Sequence, residues 1–263
     1  MKPIFSKRNV ILVLTALLFV AVSACTTTSA TKSARIKKVH ARVDLGTAYL
    51  KSRQHTAALK EFLEAEKITP DDPDIHLYTG IAYFELYIND KAIESFQKAI
   101  KYKSDFSEAH NYLGAVYLRT GEYDKAITEF KMTLSDVLYP TPDVCLNNLG
   151  WAYYQKGEYR MALAQYRQAL QRNTNKYLRF LIYKHMGIAY FALHEYENAV
   201  DYFERSLELV PNLQEAHYWL GRSYLKLNDL RKASEALEQA MTLNPDSEYG
   251  TRARRYLSVI PDE

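Results

Sequence analysis

A short pattern recurs six times along this 263-residue chain at a nearly constant spacing, and a period of that length dictates a fold built by stacking. The marker glycines are Gly46, Gly80, Gly114, Gly150, Gly187 and Gly221, separated by 34, 34, 36, 37 and 34 residues. Each precedes a tyrosine by three residues: Tyr49, Tyr83, Tyr117, Tyr153, Tyr190 and Tyr224. Twelve residues after each glycine stands an alanine, Ala58, Ala92, Ala126, Ala162, Ala199 or Ala233. Four further on comes a bulky apolar residue, Phe62, Phe96, Phe130, Tyr166, Phe203 or Leu237. Two small residues on facing helices let the backbones approach. The aromatic residues then fill the space between one repeat and the next. One helix pair cannot bury its apolar face alone, so neighbours must stack into a continuous core.

The L-G-x-x-Y and A-x-x-x-F elements at this period, with Pro70, Pro211 and Pro245 behind the second helices, resemble the tetratricopeptide repeat. The resemblance runs from about Val39 to Pro245 and implies an all-α fold, a right-handed superhelical solenoid of six helix-turn-helix repeats. The expected organisation is residues 39–247 as repeats and 248–263 as a C-terminal capping helix. In the cap, Ala253, Tyr256 and Leu257 are spaced to cover the last repeat. The marker residues are core, and none is a catalytic candidate.

The N-terminus reads as an address. Met1 to Asn9 is basic and Val10 to Ala24 is an apolar run, shorter than the roughly 20 residues a membrane-spanning helix needs. Val22-Ser23-Ala24-Cys25 resembles the lipobox of bacterial lipoproteins, which implies a signal peptide over residues 1–24 and a lipidated Cys25. Ordinary signal peptidase would cut the same bond and leave a free thiol. Thr26 follows the cysteine where an Asp would retain a lipoprotein in the inner membrane, so the resemblance favours the periplasmic face of the outer membrane. Residues 25–38 are small, polar and basic, and read as a tether reaching about 45 Å.

Charge argues against nucleic acid as a partner. The net charge is +3, but removing Lys2, Lys7 and Arg8 with the signal leaves 31 basic against 31 acidic residues and no basic stripe. With Cys25 lipidated, Cys145 is the one remaining cysteine, so no intrachain disulfide forms. The seven histidines are spread over several repeats without an H-x-x-x-H pair, and no phosphate loop, C-x-x-C or nucleophile elbow occurs. No metal, cofactor or catalytic residue is assigned, and the chain reads as a scaffold, not an enzyme.

In the tetratricopeptide family, partners lie against the first helix of each repeat. Counting the family's groove positions into this sequence selects Leu77, Ile81, Phe84, Leu118, Trp151, Tyr154 and Ile188 as one apolar groove. The alternative for each is packing against the first helix of the neighbouring repeat. Chaperone-tail binders of the family carry a polar clamp where Val43 and Thr47 stand here, so an apolar or amphipathic segment is the expected ligand.

The insert Leu138-Tyr139-Pro140 ahead of Leu146-Asn147-Asn148-Leu149-Gly150, within six repeats behind a lipidated cysteine, resembles the type IV pilus pilotin lipoproteins. That likeness implies binding of an envelope-protein segment, a secretin, whose localisation and ring assembly the lipoprotein promotes. The competing reading is a general periplasmic adaptor that docks a protease or cell-wall hydrolase to the membrane. An enzyme supported by repeats is a third class, but no stretch is left for a catalytic domain.

Overall fold

The computed structural model describes residues 33–172 and 175–261, and among these thirteen helices and their turns account for the architecture. The signal sequence, Cys25 and the tether as far as residue 32 lie outside the described residues. Helix α1 covers 33–51, followed by α2 (His55–Glu66), α3 (Pro73–Glu85), α4 (Asn89–Tyr102), α5 (Ser107–Thr120), α6 (Tyr123–Ser135) and α7 (Pro142–Gln155). Then come α8 (Tyr159–Gln171), α9 (Lys176–Ala192), α10 (Tyr196–Leu209), α11 (Gln214–Lys226), α12 (Leu230–Leu243) and α13 (Glu248–Leu257). Six helix pairs and a terminal helix are therefore present, as the repeat pattern requires.

One boundary is corrected. Residues 33–38, expected as the end of the tether, form the first turns of α1. The Arg35 guanidinium donates to the Ile68 carbonyl beyond α2, and Val39 is buried with Ala65 and Ile75. Those contacts hold the helix where the sequence offers no apolar period.

The chain divides into two compact units. The first ends at Ser104 and its described part holds α1–α4; the second begins at Asp105 and holds α5–α13. In the first, the ring of Phe62 stacks at 5.5 Å on Tyr78 of the next repeat, beside buried Ala58 and Ala82. In the second, consecutive helices pack on one another from α5 to α13.

All six marker alanines and all six bulky residues after them are fully buried. The glycine requirement has a single cause in every repeat. A Cβ at Gly150 would stand 2.4 Å from Cε1 of Tyr166, and the other five marker glycines face Phe62, Phe96, Phe130, Phe203 or Leu237 in the same way. The bulky side chain thus sits on the glycine of its own repeat, and Phe62 also reaches the next repeat, as the sequence pointed to.

The turn inside each repeat is closed identically. The residue seven after the marker glycine has φ between 58° and 83°: Arg53, Tyr87, Gly121, Gly157, His194 and Asn228. Its N–H and the next one close the turn, as in Arg53 to the Leu50 carbonyl and Gln54 to the Tyr49 carbonyl. This is the Schellman arrangement, and the carbonyl that accepts the wider bond belongs each time to the marker tyrosine.

Helix starts follow side-chain chemistry where a cap is present. Asp72 accepts from the backbone N–H groups of Asp74 and Ile75 ahead of Pro73, and Asn175, Asp229 and Ser247 cap α9, α12 and α13. The insert between α6 and α7 tucks Tyr139 into the core, while Val137 and Leu138 project outward.

Candidate functional site

In the second unit, α7, α9 and α11 are the first helices of the fourth, fifth and sixth repeats, and each offers one face at positions i, i+4 and i+7. On α7 that face is Asn147, Trp151 and Tyr154; on α9 it is Lys184, Ile188 and Phe191; on α11 it is Tyr218, Arg222 and Leu225. Aromatic rings join the three helices. Trp151 stacks on Tyr154 at 4.8 Å and on His185 of α9 at 4.7 Å. Phe191 of α9 meets Trp219 of α11 edge-on at 5.1 Å.

A polar pair underlies the first of these stacks. His185 Nδ1 lies 3.0 Å from Asn147 Oδ1, both residues are buried, and the imidazole also leans on the Tyr166 ring. Burial, with Lys184 adding to it, pushes the His185 pKa down to about 3. The neutral ring therefore donates its Nδ1 proton to the Asn147 oxygen and presents an uncharged face to Trp151. Burial also pushes the Tyr154 hydroxyl up, opposed in part by the Arg222 guanidinium.

Charge is concentrated at the far end of this face. Lys184 pairs with Glu215 at 2.6 Å, and the same carboxylate accepts from the Tyr249 hydroxyl at 2.8 Å. Arg222 lies among four rings: Trp219 at 4.6 Å, Phe191 at 4.8 Å, Tyr256 at 5.6 Å and Tyr218 at 5.7 Å from the guanidinium carbon.

The seven residues selected from the sequence do not share one fate. Trp151 and Tyr154 are half-buried and in mutual contact. Phe84 and Leu118 are half-buried too, Phe84 in the first unit and Leu118 on α5 in the second. Leu77 and Ile188, at 2% and 3% exposure, are core, and Ile81 at 9% is nearly so. For Ile188 the cause is the packing of α9 against the neighbouring first helices α7 and α11. Missing from the selection were His185, Tyr218, Trp219 and Arg222. The position count that found Trp151 also reaches Tyr218 and Arg222 when carried into the sixth repeat; His185 and Trp219 fall one residue off it.

Among the described residues no group of three His, Cys, Asp or Glu side chains gathers as a metal site would require. Nor is any described helix long and apolar enough to cross a membrane. The arrangement is a cluster of aromatic rings with one buried polar pair beneath it and one guanidinium at its end.

Tetratricopeptide repeat models match residues 105–175, 147–214 and 190–255, and a TPR repeat model matches residues 46–86. Among solved structures, PilW, described as a widely conserved type IV pilus biogenesis factor, superposes with a TM-score of 0.75 at 22% identity, covering 82% of this chain and 98% of that one. Pseudomonas aeruginosa pilF gives 0.72 at 20% identity, over 84% of this chain and 99% of that one. YrrB, described as a TPR protein with an unusual peptide-binding site, gives 0.58 at 20% identity, over 74% and 97%. No curated protein matches the chain by sequence. At these identities the likeness is one of fold.

Proposed function

Starting from a chain that belongs to the tetratricopeptide-repeat proteins, we propose that it is a non-enzymatic scaffold of type IV pilus biogenesis that binds a segment of an envelope protein, a secretin. The observation that carries the reading is the aromatic face of α7, α9 and α11, in which Trp151 and Tyr154 stay partly exposed although they stack. Large half-exposed rings held in fixed rotamers are what protein interfaces use as anchors. The fold likeness to PilW and pilF, which spans nearly the whole of both, supports the cellular setting. The likeness of Val22-Ser23-Ala24-Cys25 to a lipobox supports an anchor at Cys25 on the periplasmic face of the outer membrane, where the scaffold would promote secretin localisation and ring assembly.

The test combines binding with assembly. Burying a ring the size of Trp151 against a partner contributes about 1.5–3 kcal/mol. Trp151→Ala should then weaken secretin binding about tenfold or more, since about 1.4 kcal/mol is a factor of ten. The same variant should lower the heat-resistant secretin multimer at unchanged monomer level, with helicity and membrane localisation retained. Cys25→Ser should release the protein from the membrane fraction. Wild-type multimer levels in a folded, membrane-bound Trp151→Ala strain would overturn the secretin assignment.

A further inference from the structure

Each first helix after α1 buries the residues five before, one before and two after its marker glycine. On α3 these are Ile75, Thr79 and Ala82, and the equivalents on α5, α7, α9 and α11 are buried as well. The preceding repeat covers them: Ile75 packs with Ala65, and Ala82 with Ala58 and Phe62, all three on α2. On α1 the same positions hold Ala41, Leu45 and Ala48, and all three are exposed, Leu45 by 43%. Among the described residues no repeat precedes α1. A terminal repeat that meets water carries a polar outer face. This one keeps an apolar centre.

The rim of that face carries charge of one sign. From residue 33 to Arg53 stand Arg35, Lys37, Lys38, Arg42, Lys51 and Arg53 against the single acid Asp44. Arg42 pairs with Glu61 at 2.6 Å, and Arg35 is spent on the Ile68 carbonyl. Lys37, Lys38, Lys51 and Arg53 are exposed, and no ion pair among the described residues includes them. The neutral total of the mature chain conceals this segregation, for residues 54–263 hold 24 basic against 30 acidic residues. A second copy laid on α1 would set these cations against their own kind, whereas an anionic surface would attract them and repel the rest of the chain. The start of α1 at residue 33 also leaves only residues 26–32 between the helix and Cys25, a reach of about 25 Å.

We infer that the outer face of α1 docks on the anionic phospholipid headgroups of the membrane that holds Cys25. This rests on the reading of Cys25 as a lipid anchor and adds to it an orientation. Leu45 and the alanines lie at the headgroup boundary, while the long stems of Lys37, Lys38, Lys51 and Arg53 carry their charges to the phosphates. The apolar area is small, so the acyl chains supply the residence on the membrane. α1 fixes which face of the first unit meets it.

The test places an environment-sensitive fluorophore at Ala41→Cys in the full lipidated chain, whose Cys145 thiol is buried. Intact mass first reports the acyl chains on Cys25, so anchor and docking are read separately. In vesicles of phosphatidylethanolamine with a quarter phosphatidylglycerol, the emission should shift to the blue and be quenched by a brominated phospholipid. In phosphatidylcholine vesicles, or in the anionic ones at high salt, the probe should read water. Lys37→Gln, Lys38→Gln and Lys51→Gln should each move the equilibrium about fivefold toward the undocked state, with helicity and membrane attachment unchanged. A lipidated, membrane-bound protein whose probe reads water on the anionic vesicles would overturn docking and leave the anchor standing. A chain without acyl groups that fails to float with those vesicles would overturn both. A blue shift that is equal on neutral vesicles and indifferent to the lysines would remove the role of charge and with it the proposal. A shift that grows with protein concentration at fixed lipid would assign the face to a second copy and overturn it too.

Discussion

Tyr166 stands where four other repeats have phenylalanine and the sixth has Leu237. Its ring repeats their packing over the marker glycine, but it brings a hydroxyl into a place built for hydrocarbon. That oxygen is buried without a hydrogen-bond partner among the described residues, and burial raises the pKa of the phenol well above its ordinary value. An unmatched buried polar group costs about 1–3 kcal/mol. Tyr166→Phe should therefore raise stability by about 1 kcal/mol and the melting temperature by a few degrees. Thermal melts of the two proteins check this, and a lower melting point in the variant would mean the hydroxyl has a partner after all. At this scale the sequence was readable for the marker residues, since a glycine sixteen residues before a bulky apolar side chain in six repeats points to close packing of the two helices. It was unreadable for the left-handed turn residues Arg53, Tyr87, His194 and Asn228, which carry no glycine signal. Two closing hydrogen bonds per turn hold these residues at positive φ against a cost of about 1–2 kcal/mol each.

Between helices, the pair His185–Asn147 makes the contact of α7 with α9 sensitive to acid. In the folded chain the imidazole stays neutral down to about pH 3, whereas the unfolded chain binds a proton below about pH 6.5. Stability from this group is complete above that value and falls as pH is lowered toward 3, by about 1.4 kcal/mol per pH unit. Between pH 7 and pH 5 the loss should be about 2 kcal/mol, and His185→Gln, which retains an amide donor, should be spared it. Urea titrations at the two pH values measure the difference, and equal losses would show that the native imidazole takes up a proton. Nothing in the sequence marked this pair, because one residue off the groove count a histidine looks like any other. The helices themselves were legible from their period and their prolines. The early start of α1 was not, since the Arg35 bond to Ile68 joins residues with no local pattern.

For the molecule as a whole, the terminal helix decides whether the last repeat has a finished end. α13 covers Tyr218, Leu237 and Ala240 with Ala253, Tyr256 and Leu257, and it is fastened by Ser247 to Gln214 and by Tyr249 to Glu215. Deleting residues 246–263 uncovers that cluster at the end of a stack whose repeats are stabilised only by neighbours. The truncated protein should melt at least several degrees lower and associate with rising concentration in sedimentation experiments; unchanged melting would remove the capping role. The cap could be read from the sequence because its apolar spacing continues past the sixth repeat, whereas its share in the ring cluster around Arg222 depends on side chains from three helices. A last consequence comes from Cys145 in the fourth repeat. Its sulfur is fully buried, lies 3.5 Å from the Phe130 carbonyl, and has its pKa pushed up to about 12 by burial. Thiolate, not thiol, attacks disulfides, so closure of α7 on α6 takes this sulfur out of redox chemistry. The exposure of Cys145 to oxidants is thus confined to the interval between synthesis and folding, and any mixed disulfide found on it is a timestamp of a chain that folded late.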